Sequence, residues 1–105
     1  VTILLYAAVA DGTQAFKRLT TSVRDDAVSA GNTAQRLSDV GEDALTACLT
    51  LASSTYGTSY LAAVVFARCH AVVDIRMFER PDVTRDTVMA YAKRLDQRLS
   101  AVVCQ

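Results

Sequence analysis

Cys48, Cys69, Cys104 and the single histidine His70 are the residues of this 105-residue chain suited to metal, redox or nucleophilic chemistry. None of the cysteines stands in a CxxC or CxxCH pair. Four zinc ligands can just be counted, but their spacing fits no zinc pattern, so no metal is expected. An odd number of cysteines allows one internal disulfide and leaves one thiol over. His70 is the one candidate general base, and a Ser-His-Asp set can be drawn with Asp74. In a strand these two side chains share a face but stand about 13 Å apart, too far for the orienting hydrogen bond. A histidine beside a hairpin tip reads instead as a solvated surface residue. Cys48 lies mid-strand between Thr46 and Thr50, with no cation close in sequence to activate it, and reads as an inert buried thiol. Glu42 and Asp43 are too few carboxylates for a calcium loop. No phosphate-cradling glycine loop, HExxH or GxSxG motif occurs. No catalytic set and no cofactor are expected, and the residues lean away from an enzyme.

Lys plus Arg number 11 and Asp plus Glu 11, giving a formal net charge of zero. That argues against a nucleic-acid module built on a dense basic footprint. Hydrophobic residues make up 51% and charged residues 21%, enough to form a core. Four glycines and one proline exclude collagen-like and low-complexity classes. No internal repeat or linker is visible, so residues 1–105 are expected to form a single α+β domain.

Residues 1–9 alternate, with Val1, Ile3, Leu5, Ala7 and Val9 on one side and Thr2, Leu4, Tyr6 and Ala8 on the other. Period two predicts a strand, and two apolar faces predict a central one. Asp11 and Gln14 have capping-box spacing. Phe16, Leu19, Val23 and Ala27 then draw one helical stripe, which Gly31 and Asn32 end. Residues 32–43 read as a polar connector anchored by Leu37 and Val40. Three strand-like runs follow at 44–51, 60–67 and 70–78, the last two joined by a tight hairpin at Arg68 and Cys69. A helix from about Thr84 carries Val88, Tyr91, Ala92, Leu95, Leu99 and Val102 on one stripe. The order β-α-β-β-β-α predicts a two-layer sandwich: a four-stranded, mainly antiparallel sheet with two helices on one face.

The disulfide follows from lengths. Residues 70–78, at about 3.3 Å each, carry the chain roughly 30 Å from the hairpin tip. A helix of about 21 residues, at 1.5 Å each, returns roughly 32 Å. Cys104 therefore lands beside Cys69, within the Cα separation of about 5–6 Å that a disulfide needs. Such bridges are common in small extracytoplasmic domains. Three buried free thiols in a cytosolic protein is the alternative.

If both helices cover one sheet face, the other is too apolar for water. It would carry Tyr6, Tyr60, Val64, Phe66, Val72 and Phe78, with Asp74 and Arg76 pairing on it. The expected cover is a second copy of the chain, then a missing N-terminal segment, then a small hydrophobic ligand. Residues 1–10 end in Ala8, Val9 and Ala10, as a cleavage site does, but are too short to span a membrane and lack a basic region before them. A chain that starts inside a strand pattern is expected to have lost a leader or a lipid anchor, its one link to a membrane.

The runs Val40-Gly41-Glu42-Asp43-Ala44, Val64-Val65-Phe66-Ala67-Arg68-Cys69-His70-Ala71-Val72-Val73 and Ala90-Tyr91-Ala92-Lys93-Arg94-Leu95 resemble small extracytoplasmic lipoprotein and receptor-kinase sensor domains of actinobacteria and related bacteria. Those domains show a V-G-D-x-A turn and a V-x-F-R-x-G-N-x-V-V hairpin before the last helix. Here Glu42 and Asp43 replace the single Asp, and Cys69 and His70 replace the Gly-Asn tip. The resemblance covers roughly residues 37–104. It implies a secreted or membrane-tethered domain that binds or senses something without catalytic residues. The expected function is thus a non-catalytic extracytoplasmic ligand-binding, sensor or lipoprotein-type domain presenting an apolar sheet face. The alternative is a small ferredoxin-like or cystatin-like enzyme or ligand-pocket protein with a cavity between sheet and helices.

Overall fold

The computed structural model describes residues 1–54, 57–78 and 85–104, and the side chains of 1–47, 61–78 and 86–104. The elements run β1 (Thr2–Leu5), α1 (Val9–Ser29), β2 (Gln35–Leu37), β3 (Asp43–Ser54), β4 (Gly57–Arg68), β5 (Ala71–Phe78) and α2 (Arg85–Val103). The fold is α+β, with five strands rather than four, all antiparallel, in the order β1-β5-β4-β3-β2. The additional strand is β2, inside the stretch expected to be a connector. Its three residues pair Gln35 to Leu37 with Thr46 to Ala44. A three-residue run is too short to show a period of two.

From β1 at one edge, α1 carries the chain to β2 at the other. Strands β2 to β5 then return as a meander that brings β5 against β1. The helices lie on opposite faces of the sheet, which corrects the two-layer expectation. Phe16, Val23 and Ala27 of α1 pack on Leu45, Ala47, Leu61, Ala63, Val65 and Val72. Val88 and Ala92 of α2 pack on Ala44, Ala62, Val64, Phe66, Val73 and Ile75. The physical reason is legible in β4, whose residues 61–66 alternate between the two cores and are all buried. A continuous apolar run is the signature of a strand covered on both sides.

Helix α1 begins at Val9, two residues before the expected capping box. Ala8 occupies the cap without a side-chain hydrogen bond, and Asp11 lies within the first turn, where its charge suits the helix dipole. At the other end Gly31 adopts φ +78°, and its N–H bonds Val28 O while Asn32 N bonds Ala27 O. These two bonds satisfy otherwise orphaned carbonyls and stop the helix where Gly31 permits a left-handed residue.

The first strand is not central. It is an edge strand, and Ile3, Leu4 and Leu5 are 42%, 48% and 63% exposed. Of the stripe expected on α2, Val88 and Ala92 are buried and Tyr91, Leu95 and Leu99 pack against the core. Val102 faces solvent and Val103 is buried in its place.

Candidate functional site

The end of the molecule holding the β4–β5 turn collects the conspicuous chemistry. Cys69 occupies the turn with φ +52° and forms a disulfide with Cys104, at a Cα separation of 5.6 Å across 35 residues of sequence. The strand-out, helix-back arithmetic holds because β5 and α2 differ little in length and α2 lies along the sheet. Glu42 Oε1 accepts a hydrogen bond from Cys69 N, and Glu42 N donates to Ala67 O at 2.8 Å. The 41–42 turn thus clasps the hairpin tip from its β3 side. Gly41 makes the approach possible. A Cβ there would stand 2.6 Å from Ala67 O, and its φ of +60° favours glycine.

Asp96 extends the clasp to α2. Its carboxylate accepts two bonds from Arg68, Nε to Oδ1 and Nη2 to Oδ2, and a third from Gly41 N at 2.9 Å. Burial pushes the Asp96 pKa up. The Arg68 hydrogen bonds, the Gly41 N–H and the guanidinium charge outweigh this and hold it below the usual carboxylate range. The hydrogen bonds to Asp96 in turn raise the Arg68 pKa against the opposing effect of burial. Lys93 pairs with Asp39 at 2.7 Å on the same flank, and its hydrogen bond lowers the Asp39 pKa. None of this Arg68–Asp96–Gly41 network was anticipated. The available signal was Asp96 itself, eight residues after Val88 and four after Ala92, a carboxylate intruding on an apolar stripe and therefore in need of a partner.

Glu42, Cys69 and Cys104 bring potential ligand atoms within 4.8 Å of one another. With the sulfurs joined to each other, the group offers no thiolate to a metal. Asp74 Oδ1 accepts a hydrogen bond from Arg76 Nε at 3.1 Å. This is the same-face pair expected in β5.

The residues assigned to one open sheet face do not share a face. Val64 and Phe66 are fully buried under α2. Val72 belongs to the α1 side, as do Asp74, Arg76 and Phe78 by strand alternation, and Tyr6 packs there too. The cover expected from a partner is, on the α2 side, the chain's own last helix. Phe78 is 53% exposed near the end of β5. Tyr60 pairs with Thr50, and Cys48 with Ala62, but both side chains lie outside the described residues. Glu79 and Arg80, which follow β5, lie outside them as well.

Among the described residues, clefts open on either side of the sheet. One, of about 100 Å³, lies between α1 and the β2–β3 edge, lined by Phe16, Lys17, Thr20, Arg24, Arg36 and Asp43 among others. The second, about 250 Å³, opens along α2 at Tyr91, Arg94, Leu95 and Arg98. Among the described residues, no helix is long and apolar enough to cross a membrane.

No family model, curated protein or solved structure matches this chain. The functional reading therefore rests on its own residues.

Proposed function

We propose that the chain is a non-catalytic, extracytoplasmic binding or sensor domain of lipoprotein type, and that it self-associates through the outer edge of β1. The single observation that carries this reading is the edge itself. β1 presents Ile3, Leu4 and Leu5 to solvent, and residues 1–10 include no charged side chain and no proline. Edge strands normally carry such guards, because their unpaired N–H and C=O groups template pairing with another chain. A second copy related by a twofold axis would lay β1 antiparallel to itself, continuing a sheet that is antiparallel throughout. The uncharged strand meets no like-charge repulsion in that arrangement. The disulfide at Cys69 and Cys104 supports the compartment, since such bonds persist where thiols are not kept reduced.

Light scattering with and without Leu4→Lys tests the reading. The unmodified chain is expected as a dimer at micromolar concentration and the lysine variant as a monomer with an unchanged circular dichroism spectrum. A monomer for the unmodified chain, or a dimer indifferent to the lysine, would remove the β1 interface.

A further inference from the structure

We infer that the cleft between α1 and the β2–β3 edge is a binding site for a small oxyanion, a phosphate, sulfate or carboxylate group. Lys17, Thr20 and Arg24 stand three and four residues apart, so they form one stripe along α1. Across from them, Arg36 is the register partner of Leu45, and Leu45 packs in the α1-side core. Directly paired residues of antiparallel strands share a face, which puts Arg36 on the α1 side, and Asp43, two residues before Leu45, joins it. Helix and strand edge thus bring three cationic side chains to one cleft.

Charge accounting separates this cleft from an ordinary solvated surface. The protein has no net charge, and its described ion pairs are Arg68–Asp96, Arg76–Asp74 and Lys93–Asp39. Among the described residues, none of Lys17, Arg24 and Arg36 is in an ion pair, and Asp43, the one carboxylate lining the cleft, does not pair with them. Three cations against one anion leave two positive charges unbalanced at this place. The Thr20 hydroxyl donates to Lys17 O at 2.9 Å, so the cations carry the recognition. Phe16 and Leu45, both buried, close the cleft floor. The cleft, about 100 Å³, has room for one tetrahedral or planar oxyanion. Two arginines add the planar fork that suits phosphate and carboxylate oxygens.

This inference deepens the ligand-binding half of the proposed function. Self-association and anion binding are read by separate experiments, so either can fail alone. Amide chemical shifts are followed while sodium phosphate, sulfate or acetate replaces sodium chloride at constant ionic strength. Saturable shifts centred on Lys17, Thr20, Arg24, Arg36 and Asp43 are expected with at least one oxyanion, and the three salts show which class is preferred. Arg24→Ala and Arg36→Ala, both on exposed side chains, are each expected to weaken binding about three- to tenfold. Asp43→Asn is expected to tighten it about twofold or more, since a nearby like charge is removed. Shifts that stay linear and match those in chloride would overturn the site. So would binding that neither Arg24→Ala nor Arg36→Ala weakens.

Discussion

Arg68 grips Asp96 with two nitrogens, each 2.8 Å from its own carboxylate oxygen, across 28 residues of sequence. The pair ties the end of β4 to the middle of α2, and the third bond from Gly41 N adds the loop before β3. Three segments distant in sequence are held at one carboxylate that is 6% exposed. The helix on this face is therefore fastened twice, here and at the disulfide.

The carboxylate has a pH signature. Its folded pKa lies below the unfolded value of about 3.9, so the stability it contributes is complete above about pH 5 and is lost as pH falls through the folded value. Chemical denaturation across pH 2–7 is expected to show a weaker acid dependence in Asp96→Asn than in the unmodified chain. At neutral pH the same variant is expected to cost about 2 kcal/mol, the scale of hydrogen bonds to a charged group. An unchanged acid limb would mean that other carboxylates govern acid unfolding.

Opening the disulfide is expected to lower stability by about 3–4 kcal/mol in the chain-entropy model for a loop of this length. Unfolded but unreduced protein is expected to take up one alkyl group, at Cys48, and reduced protein three. Intact mass reads both numbers. The Cys69→Ser, Cys104→Ser double variant is expected to reproduce the thermal shift of the reduced protein.

Gly41→Ala tests the clasp at its tightest point. The added methyl would meet Ala67 O at 2.6 Å and Phe66 Cδ2 at 3.1 Å, on a backbone with positive φ. A loss of about 2 kcal/mol or more in urea unfolding is expected, from left-handed strain plus the displaced loop. A loss under 0.5 kcal/mol, the usual surface value, would show that the turn can move away freely.

Phe66→Ala separates a covered sheet face from an open one. Phe66 is fully buried in the core beneath α2, and truncation there is expected to cost about 3–5 kcal/mol. On an exposed face the same change would be nearly neutral. The measured value thus reports whether α2 sits where the structure places it.

Periodicity within the chain determined the elements. The stripe at Phe16, Leu19, Val23 and Ala27 and the alternation through residues 44–51 and 70–78 carry periods that an isolated segment already possesses, and the apolar run at 60–67 is likewise a local property. The Cys69–Cys104 bond was legible for a similar reason, because strand and helix rise per residue are constants of the backbone. The tertiary structure alone decided which side of the sheet each helix covers. A strand buried on both faces reads the same whichever helix lies above it, so only the α1 crossing to the far edge, followed by the return of the meander, assigns the sides. It alone decided that the strand at residues 2–5 ends a sheet instead of filling its centre, because strand order is a property of pairing and not of composition. The Arg68–Asp96–Gly41 contact and the cationic cleft belong there too, since each joins residues whose proximity depends on where whole elements come to rest.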